Sequence, residues 1–369
     1  MRKTELTQEV ARLRASRRGY REKLREAREQ LHQLRRAAPP AEYRALKRRW
    51  VVRIDLPMLL ISQVQRSGGT LLARLFDGHP ECFAHPMELK WGRPAKWNWP
   101  SFEADATLTA RDAFDLLEEM WVRKMIQQEG YSKYPQWDAG NKPNHRPKYP
   151  FAFDRGLQYE IFAEQFNVRR PGSRREVLNA YMTALFNAWI DYQNLYSSPK
   201  RWITCFTAGL IRHPDSLDRY FRDYPDGRLV TLIRHPAAWF ASASRHTFST
   251  DPVDAVQHWH ESTQASVAAH ERYGDRVMIV TFEDLVLRTD ATMRAICRWT
   301  GLTFDDSLLQ PTYNSMPVLS DSSFRLSTGI DPGAADRHLA ALTVEQTSAI
   351  GEPALRRYAE VEARFRIEA

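Results

Sequence analysis

The feature that most limits what this chain can fold into is the passage from residue 56 to residue 76. A largely apolar run, residues 56–64, breaks into Gln65-Arg66-Ser67-Gly68-Gly69-Thr70 and resumes as Leu71-Leu72-Ala73-Arg74-Leu75-Phe76. A continuous apolar run without alternation is the pattern of a strand buried on both faces, which is a parallel strand covered by helices. Residues 201–206, 228–233 and 277–282 show the same texture. Between them lie helical stretches with start and stop signals: Ser173-x-x-Glu176 before a run to Tyr192, Asp251-x-x-Asp254 leading to Gly274, and Asp290 to Gly301. Strands alternating with helices predict an α/β chain, a P-loop-like three-layer sandwich around a central parallel sheet. With 369 residues, 43% of them hydrophobic and 11% aromatic, there is enough apolar surface for a large core.

The net charge of +8 invites a nucleic-acid reading, but its location argues against one. Residues 1–50 hold 16 Lys or Arg against 6 Glu, a net of +10, so the rest of the chain carries a net of −2. The excess belongs to a basic arm, residues 1–49, ahead of a domain spanning residues 50–369. Within the arm, Leu6, Val10, Leu13, Tyr20, Leu24, Ala27, Leu31 and Leu34 follow alternating steps of four and three, with Arg17 as the break. That is a coiled-coil seam of about four heptads, ended by Ala38-Pro39-Pro40, and it predicts homo-oligomerisation through residues 4–36. A solitary solvated helix is the competing reading. Contact with nucleic acid or an anionic membrane lacks support, because no aromatic-basic interleaving or broad apolar face is present.

Cys82, Cys205 and Cys297 form no CxxC pair and no metal-ligand spacing, which fits a reducing compartment. No window approaches a membrane span, and the Arg-rich start lacks a signal peptide's apolar region. The expectation is a cytoplasmic protein. Residues 91–160 break the alternation: Trp91, Trp97, Trp99, Trp121 and Trp137 accompany the cluster Tyr131, Tyr134, Tyr149, Phe151, Phe153 and Tyr159, the pattern of an aromatic-rich insertion over one end of the sheet.

A Gly-containing turn feeding a helix aims backbone N–H groups and the positive end of the helix dipole at one spot, which suits phosphate or sulfate. Gly68 and Gly69 allow close approach, Ser67 and Thr70 add hydroxyls, and Arg66 adds a planar cation. An ordinary strand-to-helix turn uses many of the same residues. GxxxxGK[ST] is absent, which argues against metal-dependent phosphoryl transfer. Residues 229–233 end in Arg234-His235-Pro236, with Ser242 two helical turns on. An Arg at the carboxyl end of a parallel strand stands where open α/β sheets bind ligands. A second Arg-His-Pro, at residues 212–214, lacks both the strand before it and the Ser after it.

Taken together, these two motifs resemble the PAPS-dependent sulfotransferases, where PAPS is 3′-phosphoadenosine 5′-phosphosulfate. The likeness is greater to the carbohydrate and tyrosylprotein branch than to the small-phenol branch. Asp77-Gly78-His79-Pro80 and Val280-Thr281-Phe282-Glu283-Asp284-Leu285, with a helix ending Trp299-Thr300-Gly301-Leu302, add to it. The resemblance implies that Arg66, Ser67, Gly68, Gly69, Thr70 and Leu71 bind the 5′-phosphosulfate, and that Arg234 and Ser242 bind the 3′-phosphate. It further implies transfer to a hydroxyl or amine of a glycan, lipid or peptide tyrosine, without a metal. The tyrosylprotein enzymes carry a catalytic Glu at nearly the distance of Glu88 from the loop, which makes Glu88 the first candidate general base and His85 the second, both on a loop after the second strand. The small-phenol branch's C-terminal Gly-rich segment is missing. Residues 321–325 are the candidate to close over the adenine instead.

A P-loop kinase would share the fold and the first loop but needs a loop Lys and a metal-binding Asp. A non-catalytic coiled-coil scaffold would show broken anion motifs, and here both are intact.

Overall fold

The computed structural model describes residues 40–91, 98–105, 107–128, 130–131, 149–168, 170–245, 251–321 and 326–367. The expected coiled-coil seam, residues 4–36, lies outside them, as does most of the suggested adenine cover, residues 322–325.

Along the described chain, α1 (Pro40–Arg49) precedes β1 (Met58–Ile61), α2 (Gly69–Phe76) and β2 (Cys82–Glu88). Next come α3 (Ala110–Leu116), α4 (Met120–Gln127), a short antiparallel pair β3 (Gly130–Tyr131) and β4 (Tyr149–Pro150), α5 (Arg155–Val168) and α6 (Arg174–Ala188). The second half runs β5 (Trp202–Phe206), α7 (Pro214–Asp223), β6 (Arg228–Ile233), α8 (Pro236–Ser244), α9 (Pro252–Tyr273) and β7 (Val277–Thr281). It closes with α10 (Phe282–Leu287), α11 (Thr289–Thr300), the antiparallel pairs β8 (Thr312–Tyr313) with β9 (Met316–Pro317) and β10 (Leu319–Asp321) with β11 (Leu326–Thr328), and α12 (Val344–Phe365).

Five strands form one parallel sheet in the order β2-β5-β1-β6-β7. The alternation of β1 shows why it must be covered twice. Met58 and Leu60 join a cluster with Phe162, Leu185 and Tyr220, from α5, α6 and α7. Leu59 and Ile61 join another with Leu72, Leu75 and Met293, from α2 and α11. All four are fully buried, so each residue's side chain has an apolar layer to enter. A third cluster, with Trp239, Trp259 and Tyr358, ties α8, α9 and α12 to the β6 and β7 end. The α/β fold with a central parallel sheet is therefore the one the alternation predicted.

Local chemistry sets the helix ends. Ser173 accepts from Glu176 N at the start of α6, Asp251 from Val253 N and Asp254 N at the start of α9, and Thr281 from Asp284 N at the start of α10. Gly301, at φ 74°, ends α11 in the left-handed region. Helix α6 stops at Ala188 rather than continuing to Tyr192, because Trp189 turns to extended backbone to bridge Phe153.

One difference from the sequence expectation bears on function. Residues 85–88 lie within strand β2, not on a loop after it. Pro86 argues against a strand interior, yet β2 is the edge of the sheet, where a missing ladder donor is tolerated. Of the aromatic residues in 91–160, Trp91, Trp99, Tyr131, Tyr149 and Phe151 are buried in the first cluster and serve as core.

Candidate active site

The carboxyl ends of β1, β5 and β6 meet the turn between β1 and α2. Arg66 stands at φ 73°, an uncommon left-handed conformation for a side chain of its size, and Gly68 follows at φ 96°. A Cβ on Gly68 would lie 2.6 Å from the Phe282 ring, and one on Gly69 only 2.1 Å from Gln63 Nε2 and 2.5 Å from Phe206. Glycine is thus required twice, once for backbone conformation and once for close approach. Trp239 Nε1 donates to Gln65 O at 2.7 Å and fixes the entry to the turn. Ser67 is fully buried, and its Oγ has no hydrogen-bond partner among the described residues. Thr70 and Leu71 lie in the first turn of α2, both half-buried, with Leu71 packed against the cluster of Phe282, Val286, Ala334 and Ala335.

The second motif arrives at the same place. Arg234, at the end of β6, is buried, donates through one Nη to Arg66 O at 3.0 Å and through the other to Ala334 O at 3.0 Å. Its guanidinium lies 4.1 Å from the centroid of Phe282, and its Nε has no partner among the described residues. Burial draws the Arg234 pKa down to about 10, against the opposing pull of the Glu283 carboxylate. Ser242, buried on α8, accepts from Arg66 Nε at 3.2 Å. Two motifs separated by 176 positions in sequence thus touch through Arg66. Together they offer cationic groups, orphaned donors and a helix N-terminus to one anionic ligand.

Several participants have no role marked in the sequence: Glu283 and His235 lie inside the motifs, and Tyr358 and His338 lie outside them. Glu283 accepts from His235 N at 3.2 Å and from Tyr358 OH at 2.6 Å, so α12 reaches back to support the Arg234 turn. Burial pushes the Glu283 carboxyl up, while the Tyr358 hydrogen bond and Arg234 pull it back. His235 stacks on His338 at 4.8 Å, and burial, reinforced by His338 and Arg234, pulls its pKa down to about 4. The segment from Asp331 to His338 therefore packs over Arg234. Asp331, which accepts from Gly333 N at 3.1 Å and pairs with Arg337, gives this segment its turn. Pro332-Gly333 marks a turn in the sequence, but nothing local says where that turn docks.

On the β2 side, Glu88 pairs in register with Phe206 of β5, the residue whose ring abuts Gly69. The carboxylate is mostly covered and lies 3.3 Å from Lys90 Nζ. Lys90 and Lys124 sit 5.0 and 4.7 Å from the centroid of Trp121. His85 is enclosed, with Nδ1 2.7 Å from Met87 O and Nε2 3.0 Å from a Glu119 carboxylate oxygen. Among the described residues there is no group of three or more His, Cys, Asp or Glu placed to hold a metal ion, and no helix long and apolar enough to cross a membrane.

A family model described as "Sulfotransferase family" matches residues 57–306, well over half of the chain. The chain belongs to the sulfotransferase family. This sulfotransferase is similar to the sulfotransferase domain of the Synechococcus PCC 7002 olefin synthase at 22% identity and TM-score 0.49, covering 85% of this chain and 98% of that one. It is also similar to the sulfotransferase domain from the curacin biosynthetic pathway, at 18% identity and TM-score 0.47, covering 84% and 99%. A third likeness is to sulfotransferase STF9 from Mycobacterium avium, at 14% identity and TM-score 0.38, covering 86% and 78%. No curated protein matches the sequence. The family assignment rests on the sequence match, and it displaces the kinase alternative.

Proposed function

We propose that this sulfotransferase moves a sulfuryl group from PAPS to a hydroxyl or amine of a glycan, lipid or peptide acceptor. The observation that carries the donor assignment is the convergence of Arg66, Arg234 and Ser242, since PAPS differs from ATP in having a second phosphate on the 3′ position. The cradle fits such a group: Gly69 has no room for a Cβ, and Ser67 Oγ and Arg234 Nε are buried donors without partners among the described residues.

When bound, PAPS supplies an activated sulfuryl group whose leaving group is 3′,5′-ADP. Arg66 and the N–H groups at the start of α2 would neutralise charge developing on the leaving 5′-phosphate. Arg234 and Ser242 would hold the 3′-phosphate and so fix the nucleotide's direction. Glu88, one strand away beside Phe206, would take the acceptor's proton as its oxygen bonds to sulfur. Trp121, Lys90 and Lys124 would border the acceptor beside Glu88.

The test is calorimetric titration of 3′,5′-ADP, 5′-ADP and ATP without metal, on the wild type and on Arg234→Ala. A clear preference for 3′,5′-ADP that disappears in the variant supports the donor assignment. Equal or tighter binding of ATP, or an unaltered preference in Arg234→Ala, overturns it.

A further inference from the structure

The strand that carries Glu88 does not follow its neighbour evenly. Ala84 pairs with Thr204 and Glu88 with Phe206, so four steps along β2 match two along β5. The backbone of residues 85–87 therefore bulges out of the ladder just before Glu88, and Pro86 has no N–H to return it. Side chains hold the bulge instead. Arg74, buried in α2 beneath Tyr131 and Tyr313, donates to Pro86 O. His85 Nδ1 contacts Met87 O, the carbonyl adjacent to Glu88, at 2.7 Å. Beyond the bulge the ladder resumes, with Leu89 N donating to Phe206 O at 2.7 Å.

His85 is itself fixed from the far side. Glu119, the N-cap residue just before α4, places its two carboxyl oxygens 3.2 and 3.0 Å from His85 Nε2. Both side chains are wholly excluded from solvent. A carbonyl only accepts hydrogen bonds, so the 2.7 Å contact with Met87 O makes Nδ1 the donor there, over the longer 3.4 Å approach of Met87 N to the same atom, and the Glu119 carboxyl takes up Nε2. With both ring nitrogens engaged by the protein and the ring excluded from solvent, neither nitrogen faces an acceptor's hydroxyl.

We infer that His85 and Glu119 are positioning residues that set the direction of Glu88 through Met87 O, and that His85 is not the base. This rests on the reading of Glu88 as the base. The chain of contacts runs from α4, beside Trp121, to the strand end, so the wall of the acceptor side and the base move as one piece. Removing the ring frees the bulge and lets Glu88 leave its in-line position, where a displacement of about 1 Å can cost on the order of a hundredfold in rate. Nucleotide binding, made by other elements, stays as it is.

Sulfuryl transfer to water and to phenol, whose hydroxyl keeps its proton at neutral pH, provides the assay. The bond from sulfur to the bridging phosphate oxygen breaks, a new oxygen–sulfur bond forms, the acceptor's proton goes to Glu88, and 3′,5′-ADP is released and counted. His85→Ala is expected to lower turnover at least about tenfold, with 3′,5′-ADP affinity within about twofold of wild type. His85→Asn, whose amide N–H stands where Nδ1–H stood, is expected to recover much of the loss, and Glu119→Ala to fall between. Wild-type turnover in His85→Ala overturns the inference, as does an Asn variant as inactive as the Ala variant, since that would return proton transfer to the ring. If His85→Ala does not fold, the Asn and Glu119 variants decide. A readout independent of turnover is the proton NMR spectrum: a slowly exchanging ring Nδ1–H signal is expected in the wild type and absent in His85→Asn, and its absence from the wild type overturns the arrangement. Glu88→Gln separates the two levels, because wild-type turnover in that variant removes the base assignment itself, whatever His85 does.

Discussion

The end of β1 and the end of β2 lie two strands apart in one sheet, and they are built differently. At β1 the charged groups are cations, Arg66 and Arg234, and the backbone is bent into rare conformations by residues next to each other in sequence. At β2 the key group is a carboxylate, Glu88, and the backbone is bent by a bulge held from helices α2 and α4. The contrast follows from the tasks proposed for them. A phosphate or sulfate is the same shape in every donor, so a short loop of N–H groups and arginines suffices. An acceptor is not, and its side of the sheet is assembled from segments distant in sequence, tied to the donor loop only through α2 and Phe206.

The sharpest way to break this contrast is to remove one group on each side. Arg234→Ala is expected to weaken 3′,5′-ADP at least about a hundredfold, since truncating one partner of a buried charged contact costs about 3 kcal/mol or more, while 5′-ADP binding barely changes; calorimetry checks it. Glu88→Gln should leave 3′,5′-ADP affinity alone yet lower turnover about a hundredfold or more, within the range of a lost general base, as measured by single-turnover release of 3′,5′-ADP. If both variants lowered nucleotide affinity alike, the division into two sides would fail.

Smaller effects sharpen it. Gly69→Ala drives a methyl into Gln63 and Phe206 and is expected to cost about 1–3 kcal/mol of stability in chemical denaturation, together with nucleotide affinity, because Phe206 joins the two sides. Acid should act on the cation side first. His235 is held at about 4 in the fold and titrates near its ordinary value of about 6.5 when unfolded, so the unfolded chain binds more protons between those limits. Stability is then complete above about pH 6.5 and falls as pH drops towards about 4, by about 2 kcal/mol after allowance for partial exposure. Thermal melts of wild type and His235→Phe across that window test the sign: the variant's slope should be shallower. Ser242→Ala, which removes one hydroxyl proposed for the 3′-phosphate together with an acceptor of Arg66 Nε, should weaken 3′,5′-ADP about threefold to tenfold.

How far the sequence disclosed this molecule differs between the same two regions. Gly68, Gly69, Arg66 and the Arg234-to-Ser242 spacing are local patterns whose physical demands show in the residues themselves. Four of the five sheet strands were visible as apolar runs. The second strand, β2, reads in the sequence as ending before His85 because His85 and Pro86 look like a turn, and only its place at the sheet edge makes them acceptable within it. Glu119 lies 34 residues from His85, and Tyr358 75 from Glu283. Such contacts are set by how helices pack on the sheet, and no local pattern announces them. The same holds for Ala334, which meets Arg234 through a backbone carbonyl and so leaves no trace in its residue type.

The ring of Phe282 lies 2.6 Å from where a Cβ on residue 68 would be and 4.1 Å from the guanidinium of Arg234. One aromatic residue therefore measures the width of both anion positions at once. In evolutionary terms it yokes three sites that are far apart in the gene. A smaller residue at 282 would relieve the crowding at 68 only by removing the floor beneath the second arginine, so drift at any one of the three is penalised unless the others follow. Residues 68, 234 and 282 should accordingly change together or not at all.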